Sequence, residues 1–432
     1  MNRTTNRGDS WYRLDNTAKM YPIAMSDKSS HVFRFSVMLT HNIDPILLQK
    51  AVSSCRARFP TFYVKLRRGL FWFYYEPNEK EPVVLPESPY ACQPVDRQIG
   101  NGFFFTFYYY KSRISLELFH GISDGMGAQH FLKAVLLRYL GLCGFPQDGE
   151  GLVLNPEDSP TPAETEDSYV KHYIRGKRGR EILPTAYRIT GERFSQDGFG
   201  MINGAMETSE LIDTAKSHGA TVTQYLTAVL TYAISDTGSR RKLLKRPVNI
   251  NVPVDIRRFY KSSTLRNFFI IFRTSFQRGK EVPAFSDIIA KMKQDFIDGL
   301  EPDRVQNEVN SNVFYEKNAF IRSAPLPLKW AFMKGGYTLT GIRPTTAILT
   351  NLGTLELPES MKPHISGFEL YFDTERAISH NVSIVSYGGK TNIGFTRNIV
   401  PNDIERAFFS FLAKDGIKLA VKSNFWEDYS DN

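Results

Sequence analysis

Cysteine is nearly missing from this chain. Cys55, Cys92 and Cys143 are the three among 432 residues, an odd and widely spaced set that suits neither a disulfide framework nor a zinc site. A reducing cytoplasm is therefore the expected compartment. Long apolar runs are missing too. The longest, Phe103 to Tyr110, falls far short of the ~20 residues that cross a bilayer. Met1 to Ser10 hold no apolar core of a secretory leader, so none is expected. A P-loop, a G-x-G-x-x-G loop, an H-E-x-x-H helix and an EF-hand loop are all absent. No metal and no permanently bound cofactor are implied. A nucleic-acid-binding module is absent as well, and no short-period repeat is found.

Acidic residues are in deficit, 45 against 54 basic ones, for a net charge of +9. The excess favours anionic partners in general. It gathers at Lys171, Arg175, Lys177, Arg178 and Arg180, then at Arg240, Arg241, Lys242, Lys245 and Arg246. Solvated loops are one reading of these clusters; a phosphate-bearing co-substrate or an acidic carrier protein is the other.

Aromatics, by contrast, abound: 32 Phe and 21 Tyr. They build a large core or line a tunnel. Hydrophobic residues at 42% and charged residues at 23% fit a globular chain, and its length exceeds what one core usually supports.

The local patterns argue for a mixed α+β body of two lobes. Residues 32–40 read as a strand. Asp44 caps a helix that starts at Pro45 and ends near Phe59-Pro60. Strands follow at 61–67 and 70–76. Residues 102–110 and 113–119 form an antiparallel pair, with Ile114, Leu116 and Leu118 as the buried face. His120 continues that face. An amphipathic helix then runs from the Asp124-Gly125 turn to Gly141. Residues 145–168 are polar and Pro/Glu-rich, and a basic stretch continues to about 200. This divides the chain into 1–165, a crossover at 166–200, and 201–432. The second part carries helices at 208–218, 223–236, 285–298 and 402–414. Its strands fall at 248–252, 268–274, 345–350, 366–373, 380–387 and 390–396, the last two turned by Gly388-Gly389.

His120-Gly121-Ile122-Ser123-Asp124-Gly125 is the sharpest chemical signal. An imidazole at the end of a buried strand face, with a pKa near ~6.5, can take a proton at neutral pH. Asp124 can fix it, and Gly125 lets the loop turn before the helix. By composition alone, His-x-x-x-Asp-Gly occurs in roughly one chain of this length in thirty. The plainer reading is a core histidine followed by a helix cap.

With these segments in view, the chain resembles the superfamily of coenzyme-A-dependent acyltransferases and condensation domains, particularly bacterial enzymes described as alcohol acetyltransferase-like. The resemblance rests on the His120–Gly125 segment and on Leu48 to Pro60. It rests also on Pro253-Val254-Asp255-Ile256-Arg257 with Thr264-Leu265-Arg266-Asn267-Phe268, on Thr350-Asn351-Leu352-Gly353, and on the carboxy-terminal hairpin. It implies two chloramphenicol-acetyltransferase-like lobes with mixed, largely antiparallel sheets and a tunnel between them. His120 is then the general base. Asp124 is structural and pairs with an arginine of the other lobe: Arg257, or Arg258, since adjacent strand residues point to opposite faces. Many members carry a second histidine where this chain has Phe119. Thr350 and Asn351 match a region that places donors near the oxyanion, though Asn351-Leu352-Gly353 also reads as a strand-ending turn. The co-substrate implied is acyl-CoA or an acyl carrier protein, and the acceptor a small hydroxyl or amine compound.

Three other readings stand beside this one: a carrier-protein-dependent condensation enzyme, a non-catalytic binding module of the same fold, and a serine hydrolase. The last arises because Gly121 to Gly125 also satisfies G-x-S-x-G, with Ser123 as nucleophile. Against it, the preceding strands read as antiparallel.

Overall fold

The computed structural model describes residues 11–25, 29–88, 90–94, 99–176, 183–194 and 199–424. Met1 to Ser10 and the basic residues Lys177, Arg178 and Arg180 lie outside them.

Two principal sheets organise the chain. The first has five strands in the order Ile365–Phe372, Val32–Leu39, Arg113–Phe119, Phe105–Tyr110 and Val84–Pro86. Its neighbours are antiparallel except the last pair. The second has seven strands in the order Phe269–Phe276, Val248–Asp255, Ala347–Thr354, His380–Tyr387, Lys390–Arg397, Gly200–Glu207 and Leu419–Ser423. Ala347–Thr354 runs parallel to both of its neighbours. A small sheet of Tyr12–Arg13, Phe73–Pro77 and Val64–Arg68 completes the set.

Local signals start the elements. Asp44 accepts from the backbone N–H groups of Ile46 and Leu47 at 2.8 and 3.1 Å, and Pro45 opens the helix Pro45–Ser54. Thr221 and Gln224 close a reciprocal capping box on Val222–Thr237. Helices Pro45–Ser54 and Gly125–Leu142 pack on each other and share the first hydrophobic core, where Phe59, Phe62 and Phe131 meet. Val222–Thr237, Phe285–Gly299 and Asp403–Lys414 cover the second sheet.

The lobes do not divide where the chain is halved. Ile365–Phe372 pairs with Val32–Leu39 although it lies more than 300 residues later. Its backbone also receives donors from the other sheet: Asn392 Nδ2 reaches the Phe368 carbonyl at 2.9 Å, and Ser383 Oγ the Leu370 carbonyl. The 145–176 stretch is strapped down. Arg58 clasps Glu164 with two bonds of 2.7 and 2.8 Å, and the Glu164 carbonyl accepts from Leu265 N at 2.8 Å. Tyr169 is fully buried.

One expectation about faces is corrected. Strand Arg113–Phe119 is buried on both sides, including Ser115 and Glu117. Arg34 Nε donates to Glu117 at 2.8 Å and Ser36 meets Ser115 at 2.8 Å. Polar residues paired across a strand can be buried as completely as apolar ones, so alternation did not mark the solvent side. Among the described residues no helix is long and apolar enough to cross a membrane.

Candidate active site

Strand Arg113–Phe119 delivers His120 to the boundary between the lobes. The His120 backbone N–H donates to the His31 carbonyl at 2.8 Å, and the Ile122 N–H closes a tight turn on the Phe119 carbonyl at 2.9 Å. Tyr75 donates to the Gly121 carbonyl at 2.9 Å. The imidazole stacks on Tyr21, with centroids 4.8 Å apart and planes at 20°. Phe33 and Phe269 approach it at 5.3 and 5.4 Å. Aromatic walls on three sides leave little freedom of rotation.

The electronic state of the ring follows from its partners. His120 Nδ1 lies 3.1 Å from Asn267 Oδ1. Asn267 turns its amide nitrogen to the buried carboxylate of Asp15, 3.3 Å away, which orients its oxygen to the imidazole. An amide oxygen only accepts, so the ring proton sits on Nδ1 and Nε2 keeps its lone pair. Asp15 is held in turn by Ala18 N at 2.7 Å and by Arg266 Nε at 3.6 Å. Burial pushes the His120 pKa below the ordinary imidazole value, against the opposing pull of the Asp124 carboxylate. A neutral imidazole at neutral pH is the result.

Asp124 combines the two roles considered for it. It caps helix Gly125–Leu142 through Gly127 N at 3.2 Å. It also receives Arg257 Nη2 at 3.0 and 2.9 Å and Phe268 N at 2.8 Å. The remaining Arg257 donors go to Asp255 at 2.8 Å and to the Thr264 carbonyl at 2.9 Å. Arg258, the fallback, is exposed and lies over the Phe259 ring at 5.1 Å. The argument that would have chosen between them is corrected: strand Val248–Asp255 has ended, and Arg257 opens a short helix, Arg257–Tyr260. Helical direction rather than strand alternation aims its side chain.

Two further expectations change. Gly125 is the first helical residue and has no positive φ. A Cβ there would lie 2.6 Å from Leu352 Cδ2, so glycine gives room to the tip of Leu352 rather than turning freedom. Asn351-Leu352-Gly353 does not end its strand; it makes a bulge, after which Thr354 pairs again with Ser386. Gly353 sits at φ +74°, a region that suits glycine. Asn351 Nδ2 donates to Thr223 Oγ1 at 3.0 Å, and its oxygen accepts from Gly353 N at 2.8 Å. One amide hydrogen is left over.

A cavity of about 930 Å³ opens between the lobes. His120, Asp124, Gly125, Arg257, Thr350 and Asn351 all border it. The structure thus gathers these six around one space. His31, Asn267 and Asp15 were missed by sequence reasoning. His31 borders the same cavity. Asn267 stood in a segment carrying the resemblance, and nothing local marked its amide as a partner of His120.

Solved structures share this fold at low identity. Polyketide synthase associated protein 5 from Mycobacterium tuberculosis superposes with a TM-score of 0.61 at 15% identity, covering 93% of this chain and 96% of that one. The starter condensation domain of rhizomide synthetase, in complex with C8-CoA and Leu-SNAC, gives 0.57 at 13%, covering 95% and 97%. Trichothecene 15-O-acetyltransferase from Fusarium sporotrichioides gives 0.57 at 10%, covering 93% and 94%. This chain has the two-lobed fold of the condensation domains and chloramphenicol-acetyltransferase-like enzymes. No protein-family model matches it, and no curated protein matches it significantly in sequence.

Ser123, the nucleophile of the G-x-S-x-G reading, is sealed away from the cavity. Its side chain is fully buried, donates to the Leu265 carbonyl at 2.5 Å, and does not border the cavity. The strand before it has antiparallel neighbours on both sides, unlike the parallel sheet under a nucleophile elbow. Phe119, where many members carry a second histidine, is fully buried against Phe104 at 5.2 Å. Among the described residues, no group of three or more His, Cys, Asp or Glu is disposed to hold a metal ion.

Proposed function

We propose that this protein is a cytoplasmic acyltransferase that moves an acyl group from a thioester donor to a hydroxyl or amine acceptor, with His120 as general base. The observation that carries the reading is the imidazole itself. Its Nδ1 is held by Asn267, its pKa is lowered by burial, and it stands at a cavity bordered by both lobes. His120 Nε2 takes the proton from the acceptor O–H or N–H as that atom attacks the thioester carbonyl. The tetrahedral oxyanion collapses, the C–S bond breaks, and Nε2–H returns its proton to the leaving thiolate. Products are an ester or amide and a free thiol. Thr350 and the spare Asn351 amide hydrogen are the candidate oxyanion donors, worth ~2.7–4 kcal/mol for a single well-placed group.

Acyl-CoA is the proposed donor; an acidic acyl carrier protein is the alternative carrier. Complexes of a neighbouring fold with C8-CoA and Leu-SNAC support a cavity of this type taking thioesters. The test is release of free thiol from a panel of acyl-CoA donors against pooled alcohols and amines, with His120→Ala as control. Turnover should fall ~10²–10⁴-fold in the variant. Unchanged turnover in His120→Ala on a verified substrate would remove the base assignment. Failure of every thioester, free or carrier-bound, would favour a binding module.

A further inference from the structure

One rim of the cavity is apolar and exposed, and the charged residues of its own stretch of chain are all basic. Helix Leu326–Tyr337 and the π-helical turn Thr338–Ile342 form that rim. Leu328, Phe332 and Leu339 lie at spacings of four and seven, on one helical face, and are 66, 62 and 55% exposed. Gly335, one turn after Phe332, faces open space. The loop beside the start of the helix extends the stripe: Leu326 N donates to the Leu70 carbonyl at 3.0 Å, and Leu70 is 72% exposed. Large side chains of this kind in contiguous array mark an interaction surface.

The charge around the stripe selects the partner. Between Glu316 and Glu356 the chain holds Lys317, Arg322, Lys329, Lys334 and Arg343 and no acidic residue. Lys329 is buried, its ammonium donating to the Phe71 and Arg322 carbonyls at 3.0 and 2.9 Å over the Trp72 ring. The other four are exposed, and none pairs with a carboxylate among the described residues. Exposed Leu and Phe set between exposed, unpaired cations are the chemistry of a segment that rests in an anionic bilayer interface. Phe332 and Met333 also border the cavity, so the stripe and the interior are continuous.

We propose that this rim docks the protein onto an anionic lipid surface, from which amphiphilic molecules reach the cavity without crossing water. The docking stands apart from the acyltransferase reading, and its test does not use turnover. Full-length protein is sedimented with phosphatidylcholine vesicles, with and without phosphatidylglycerol. The expected result is co-sedimentation with the anionic vesicles, weakened by salt. Leu328→Ser/Leu339→Ser and, separately, Lys334→Glu/Arg343→Glu should each bind about tenfold more weakly. The charge pair keeps the test intact if the apolar pair disturbs folding, which circular dichroism reports. Absence of vesicle binding overturns the proposal, as does binding by both variants as tight as that of the wild type. So does a dimer of the wild type that Leu328→Ser/Leu339→Ser converts to monomer without any lipid binding: the face would then belong to a second copy.

Discussion

Asp124 and Arg257 stand 133 residues apart in the chain, yet one guanidinium nitrogen of Arg257 spans both carboxylate oxygens of Asp124 at 3.0 and 2.9 Å. Both side chains are buried. Burial opposes the charge on Arg257, but the Asp124 and Asp255 carboxylates more than offset it and raise its pKa above the ordinary value. The contact ties the His120 loop of one lobe to the short helix Arg257–Tyr260 of the other.

Removing one member of such a pair leaves a buried charge. Arg257→Met should lower stability by ~3–5 kcal/mol, measured by urea unfolding. Asp124→Asn should cost less, because Arg257 keeps Asp255 and the neutral side chain still accepts from Gly127 N. The double variant should lose less than the sum of the single losses. Strict additivity would show that the two residues act independently.

With His120 as the proposed base, acid should silence turnover later than an ordinary histidine predicts. The base must be neutral, and burial depresses the His120 pKa. The acid limb of kcat/KM should therefore fall below ~6.5. The sign for stability runs the same way. Between the unfolded value and the lower folded one, the unfolded chain binds more protons. His120 thus subtracts stability as pH falls through that window and is without effect above it. A limb at or above 6.5 in a full pH–rate profile would count against a buried neutral base.

In the proposed mechanism Asn267 is a positioning residue. Its hydrogen bond to Nδ1 raises the His120 pKa and sets the tautomer. Asn267→Leu should lower kcat/KM by up to ~10²-fold and shift the acid limb further down. A purely structural role would lower stability without moving that limb.

Ser123→Ala should retain most activity. Its cost should appear in stability instead, at ~1–3 kcal/mol, because the Leu265 carbonyl loses its donor. Intact-mass analysis after incubation with donor should show no acyl group on Ser123. An accumulating adduct there would revive the hydrolase reading.

What the sequence determined by itself is mostly local. Asp44-Pro45 and Gly388-Gly389 are start and turn signals written within a few residues, and the elements begin or turn there. The helices Pro302–Lys317 and Leu326–Tyr337 escaped notice. The first is polar, with Val305, Val309 and Val313 alone facing a small core; that four-residue spacing was the available signal. The second leaves its apolar face outside, so no polar face marks it. Strand Gly200–Glu207 is rich in glycine and methionine and poor in β-branched residues. The site itself was half legible: His120, Asp124 and Arg257 could be named through a resemblance, and Thr350 and Asn351 placed near them. Tertiary structure alone decided that Asn267 orients His120, that Asp15 orients Asn267 from 252 residues away, and that Ser123 is sealed from the cavity. Capping and periodicity depend on neighbours in the chain. The tautomer of a buried imidazole depends on which groups the packed lobes bring within 3 Å or so, and no local pattern carries that information.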